Sequence, residues 1–168
     1  MTNKDNIWLV AHDFSSCADA AADLALDDLL DSRRGGHIVL VNVFTIMLPQ
    51  GTIEAMPASS WSVGVEEATR LQVTRGLMQV VARLQARVQA DHPQAVVDIA
   101  ISARLGTPVE GLLEEAAAQN ATRIFVGTHG RKGIGHFLLG SVAERVARLS
   151  KIPVLVAHDM TKKKERSL

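Results

Sequence analysis

VGTHGRKGIGHFLLGSV, residues Val126 to Val142, decides how the rest of the chain is read. An apolar run, Arg123-Ile124-Phe125-Val126, leads into it, and a helical pattern starts at Val142. The stretch holds Gly127, Gly130, Gly133, Gly135 and Gly140, and three of these fall with Ser141 into the pattern Gly127-x2-Gly130-x9-Gly140-Ser141. A glycine-rich loop between a strand and a helix suits phosphate oxygens. Glycine turns tightly and lets an anion reach backbone N–H groups with no Cβ in the way. The following helix adds unpaired N–H groups and the positive end of its dipole. Ser141 offers a hydroxyl to a ligand and a cap to the helix. Arg131 and Lys132 put two positive charges beside the loop. Two standard phosphate loops are absent from the sequence. No G-x-x-x-x-G-K-[ST] run occurs, and Gly133-x-Gly135 is followed three residues on by Leu138, where a dinucleotide fingerprint needs glycine. On spacing alone, a plain glycine-rich connection between strand and helix also fits.

Outward from this loop, apolar runs and helical patterns alternate. Arg123 to Gly127 reads as a strand, Val142, Val146 and Leu149 mark the next helix, and Pro153 to Ala157 is a further strand. Upstream, Thr107-Pro108-Val109-Glu110 reads as a capping box with proline at the first helical position. Val109, Leu112, Leu113 and Ala116 form the inner face of that helix. Val96 to Ser102 is a strand. Before it, residues 65–90 are helical, with Leu77, Val80, Val81, Leu84 and Val88 on one face and His92-Pro93 as the stop. Thr45 to Ser62 is polar, proline-containing and irregular; it is expected to be a surface excursion, with a lid or partner-binding loop as the alternative. Ile38 to Phe44 is a strand rich in β-branched residues, and Gly35-Gly36 ends the unit before it. Ala18, Ala21, Ala22, Ala25 and Leu29 recur at helical spacing, small enough to lie close to a sheet. Ile7 to Ala11 is a continuous apolar run of the kind seen in buried parallel strands, and His12 to Ser16 is the turn at its end. Strands alternating with helices predict an α/β fold, a parallel sheet with helices on both faces.

The chain has 168 residues, which suits a single domain over residues 1–160 followed by a charged tail, 161–168. Lys+Arg and Asp+Glu balance at 18 each, so charge gives no case for nucleic acid or a membrane surface as partner. No apolar run approaches the roughly 20 residues of a membrane span, and the start MTNKDNIWLV has no long apolar signal region, so a cytoplasmic location is expected. Cys17 is the lone cysteine, which excludes an intrachain disulfide, and it reads as a small helix residue. No His-x3-His pair or carboxylate cluster has metal-ligand spacing. No side chain declares itself as a catalytic group.

The glycine pattern resembles the nucleotide-binding signature of the universal stress protein family, in its ATP-binding branch. IWLVAHDFSS (residues 7–16), LGTPVEGLLEEA (105–116) and SKIPVLVAH (150–158) extend the resemblance over nearly the whole chain. It implies a five-stranded parallel sheet of order 3-2-1-4-5, Rossmann-like and of the adenine nucleotide alpha hydrolase-like kind. That order sets a topological switch between strands one and four, where open α/β sheets bind ligands. Carried over residue by residue, the resemblance implies an ATP site. Val41 and Val126, with Ala11, line a slot for the base. Asp13 accepts from the ribose hydroxyls or adenine, with capping of the first helix as its structural rival. Gly127, Gly130, Gly140, Ser141 and Val142 cradle the phosphates, with His129 and Arg131 beside them. Mg2+ would arrive on the phosphates, since it keeps waters and needs few protein ligands. His12 departs from the smaller residue many relatives carry there, and is expected to pack on the base or crowd it. His129 and His136 either touch phosphate or face solvent. The last strand would leave an apolar sheet edge, which pairing in a homodimer would cover. The function implied is a nucleotide-dependent regulatory protein of the stress response, acting through an unidentified protein partner. The alternative is a slow ATPase or nucleotide hydrolase on the same site, which needs a group to position water. A structural dimer without ligand is the third reading.

Overall fold

The strands of this chain carry apolar residues on both faces, and helices cover both. The computed structural model describes residues 6–32, 36–46, 58–128 and 139–159, with side chains from residue 63 onward in the third segment. The strands are β1 (Asn6–Ala11), β2 (Gly36–Phe44), β3 (Asp98–Leu105), β4 (Arg123–Gly127) and β5 (Val154–Ala157). The helices are α1 (Ser16–Asp31), α2 (Ala58–Asp91), α3 (Pro108–Ala118) and α4 (Ser141–Leu149). All pairings are parallel, in the order β3-β2-β1-β4-β5, as the resemblance implied.

Successive strand side chains point to opposite faces, and this splits the core in two. Trp8, Val10, Ile38, Leu40 and Phe125 point to one side, where they meet Ala21, Ala22, Ala25 and Leu26 of α1 and Leu77 and Leu84 of α2. Leu9, Val39, Val41, Ile124 and Val126 point to the other, against Leu112 and Ala116 of α3 and Val146 of α4. The alanine face of α1 is buried as expected. It brings that helix close to the end of β4: a Cβ on Gly127 would lie 2.7 Å from the backbone carbon of Cys17. Arg83 and Arg87 of α2 reach Asp19, Asp23 and Asp27, spaced four apart on α1, and tie the two helices along their outer edge. These pairs are largely exposed and each contributes about 0–1 kcal/mol.

Five expectations are corrected. α2 begins at Ala58, inside the stretch read as irregular, because none of residues 63–72 is buried and periodicity only registers buried faces. β3 starts at Asp98, not Val96, and runs to Leu105: Val96 is 98% exposed, and residues 98–105 each pair with β2. Gly36 opens β2 instead of closing the unit before it. Thr107 is the N-cap of α3 with proline following, but its hydroxyl bonds the Glu110 carboxylate and caps no backbone N–H, so the capping box does not close. In α4 the N-cap is Gly140, not Ser141, and the inner face is Ala143 and Val146; Leu149, at the last position, is half exposed. Part of the 45–62 stretch, residues 47–57, and the tail, 161–168, lie outside the described residues.

Candidate functional site

The chain leaves β1 to pair β2 on one side and returns as β4 on the other. Side chains and loops must diverge at that point, and a crevice opens beyond the carboxyl ends of β1, β2 and β4. It is open to solvent. Ala11, Asp13, Val41, Val126, Gly127 and Val142 all line it, with Pro108 and Leu112 of α3 forming the far wall. Ala11 ends β1 and faces Val41 in register. Val41 and Val126 are buried, 1% and 2% exposed, and give the crevice an apolar floor.

The turn after β1 is firmly bonded. The Asp13 carboxylate accepts the Ser15 N–H at 3.1 Å, and Ser15 is the N-cap of α1, its hydroxyl accepting the Ala18 N–H at 3.2 Å. Helix capping therefore falls to Ser15, not to Asp13. His12 is almost fully buried. Its Nε2 lies 3.3 Å from Asp19 Oδ1 and its Nδ1 accepts the Phe14 N–H at 3.2 Å. Both its nitrogens serve the turn, and His12 also lines the crevice, where the expectation placed it. Burial pushes His12 below its ordinary pKa, outweighing the carboxylates of Asp19 and Asp13, which pull it up; Arg83 adds to the lowering.

At the other side of the crevice, Gly140 N–H donates to the Thr128 carbonyl at 2.6 Å, and Thr128 N–H to the Ala157 carbonyl at 2.8 Å. The start of α4 is thereby clamped to the ends of β4 and β5. Gly140 has φ −60, an ordinary backbone for any residue. Its N–H is engaged by the Thr128 carbonyl, which leaves the next three residues to present N–H groups at this end of the helix. The first intrahelical bond runs from Glu144 N–H to the Gly140 carbonyl, so Ser141, Val142 and Ala143 have no intrahelical acceptor, and among the described residues no side chain caps them. Ser141 lines an adjoining cavity with Thr107, Glu110 and Arg145, which shares Pro108 and Val142 with the main crevice. His129, Gly130 and Arg131 lie outside the described residues.

Two contributors escaped the sequence reading. Asn42 donates through Nδ2 to the His12 carbonyl at 2.7 Å. Its signal was there, as the one polar residue inside Ile38–Phe44. Arg145 gave none, because a basic residue on a short helix reads as solvated surface. Among the described residues no group of three or more His, Cys, Asp and Glu side chains is placed to hold a metal ion.

The fold is an open parallel α/β sheet with a crevice at its topological switch point, and comparison with known proteins supplies the family. The universal stress protein family model matches residues 7–158, so the chain belongs to that family. It is 28% identical over 149 residues to the universal stress protein Rv2005c of Mycobacterium tuberculosis, covering 89% of this chain but 44% of that protein. This chain thus spans less than half the length of that relative. Among solved structures it superposes on a universal stress protein in complex with cAMP, with TM-score 0.58, 23% identity and coverage of 92% and 98% of the two chains. It also superposes on the universal stress protein from Archaeoglobus fulgidus in complex with dAMP, with TM-score 0.57, 17% identity and coverage of 93% and 99%.

Proposed function

We propose that this protein binds ATP in the crevice beyond β1, β2 and β4 and acts as a nucleotide-dependent regulatory protein of the stress response, through a protein partner in the cytoplasm. One observation carries the reading: Asp13, the apolar pair Val41 and Val126, and the start of α4 at Val142 and Ala143 all border one opening. These are the three contacts an adenine nucleotide needs. The valines offer a slot to the base, with Ala11 beside them. Asp13 sits where it can accept from ribose hydroxyls. The N–H groups of Ser141, Val142 and Ala143, with the helix dipole behind them, suit phosphate oxygens. The remaining phosphate contacts in this reading come from His129, Gly130 and Arg131. Mg2+ fits as an ion held by the phosphates and water, since it keeps several waters and needs few protein ligands. The cAMP and dAMP complexes of the two similar structures support an adenine nucleotide as the ligand class.

The same reading includes a homodimer paired through β5. Calorimetric titration with ATP and Mg2+ tests the central part. Binding tighter than millimolar is expected; a protein with no measurable ATP affinity in that range overturns it.

A further inference from the structure

Phe14 has φ +65, a left-handed backbone that costs an aromatic residue more than it costs glycine or asparagine. Three contacts hold it there. Its N–H donates to His12 Nδ1 at 3.2 Å, its ring meets the His12 ring edge-on at 5.5 Å, and it fills the space beside Gly76 of α2, where a Cβ would come within 2.7 Å of the ring. His12 is itself pinned. Its N–H donates to the Val41 carbonyl at 2.8 Å, its carbonyl accepts from Asn42, and its Nε2 faces Asp19. Asp13 therefore hangs between two anchored residues, and its direction depends on the turn they form.

A ring nitrogen that accepts a backbone N–H carries no proton, so neutral His12 holds its proton on Nε2 and donates it to Asp19. Building on the nucleotide reading above, we propose that neutral His12 is the positioning residue that keeps Asp13 in the crevice, and that a second proton on its ring releases the turn and weakens nucleoside binding. Protonated Nδ1 would face the Phe14 N–H donor to donor. Asp19 would gain a charged partner, yet Arg83 of α2 already shares that carboxylate at 3.3 Å. The charged groups facing the ring are thus Asp19 from α1, Asp13 from its own turn and Arg83 from α2, with Asp23 engaging Arg83. Burial favours the neutral ring, which places the switch on the acid side of histidine's ordinary 6.5. Because the folded-state value is lowered, the stabilising effect of neutral His12 is complete above 6.5 and is lost as pH falls from there through the folded value.

Adenosine is the probe, since it carries no phosphate to titrate. Between about pH 7.5 and about pH 5.5, wild-type affinity for adenosine should fall roughly three- to tenfold, the worth of one hydrogen bond. His12→Asn, whose amide oxygen accepts the Phe14 N–H without titrating, should bind like wild type at the higher pH and stay flat. His12→Ala should bind weakly at both. In ligand-free protein, nitrogen NMR should report the Nε2–H tautomer, and the Phe14 amide signal should move with the same midpoint as the affinity. A wild-type affinity unchanged over this interval, or His12→Asn following the wild-type pH profile, overturns the proposal and leaves nucleotide binding standing. No adenosine binding at the higher pH overturns the proposal, and nucleotide binding falls with it only if ATP also fails to bind.

Discussion

Gly127 and Cys17 compete for one space: a Cβ on Gly127 would stand 2.7 Å from the Cys17 carbonyl carbon and 2.8 Å from its oxygen. The first glycine of the signature is thus required by the packing of α1 on β4, whatever it offers a ligand. The obstructing atoms are the Cys17 backbone and its Cβ, which cannot swing aside. Gly127→Ala should therefore destabilise the fold by about 1–3 kcal/mol, the usual range for overpacking. Urea denaturation reads this directly, and an unshifted midpoint would show that α1 can retreat at no cost.

Asp13 is expected to recognise the nucleoside, because a carboxylate beside a triphosphate would repel it. Asp13→Ala should weaken ATP, ADP and adenosine by similar factors, worth about 1–3 kcal/mol for a hydrogen bond to a charged group. Calorimetry with the three ligands checks it. Adenosine binding untouched while ATP binding falls would assign Asp13 to the wrong end of the ligand.

On the far side of the sheet, Glu115 of α3 is 6% exposed and accepts from Arg104 of β3 at 2.6 Å and from Gln119 at 2.9 Å. Burial pulls its pKa upward, but hydrogen bonds from Arg104, Gln119 and Ser102 and the Arg104 charge prevail and lower it below 4.5. A lowered folded-state value means that the stabilisation is complete above 4.5 and is lost as pH falls through the folded value. Glu115→Gln should remove that component of acid sensitivity and cost about 1–3 kcal/mol near neutrality. Urea midpoints across the acid range compare the two proteins; identical slopes would contradict the assignment.

The sheet ends at β5, whose only strand neighbour among the described residues is β4, and Val156 there is 37% exposed. An apolar edge with open backbone groups invites pairing. Sedimentation at micromolar concentration should give twice the chain mass of 18.1 kDa. A monomer would contradict the β5 pairing.

Much of this was readable in advance where a residue's role depends on its chain neighbours. β4 was plain as Arg123–Gly127, an apolar run closed by glycine, and the small face of α1 announced close packing on the sheet. Strand order was not in the periodicity, since pairing joins segments far apart in sequence; it came with the family resemblance. The start of α2 was hidden because its first turns bury nothing, and Val96 misled because an apolar residue can stand in solvent. In the site, Asp13 and Gly127 were picked out by their places at strand ends, while Ala11, Val41, Val126 and Val142 came with the family resemblance; all six line the crevice. The role of His12 was not foreseeable. It rests on Asp19, Phe14, Asn42 and the Gly76 gap in α2, which only the fold assembles.

Amide NMR of the isotope-labelled protein, titrated with ATP and Mg2+, tests the central claim most directly. Saturable shifts should concentrate at Ala11, Asp13, Val41, Val126, Gly127, Ser141, Val142 and Ala143, the residues that border the crevice and the start of α4. Shifts confined to the opposite end of the sheet or to the outer face of α2, or no saturable shift at all, would contradict it.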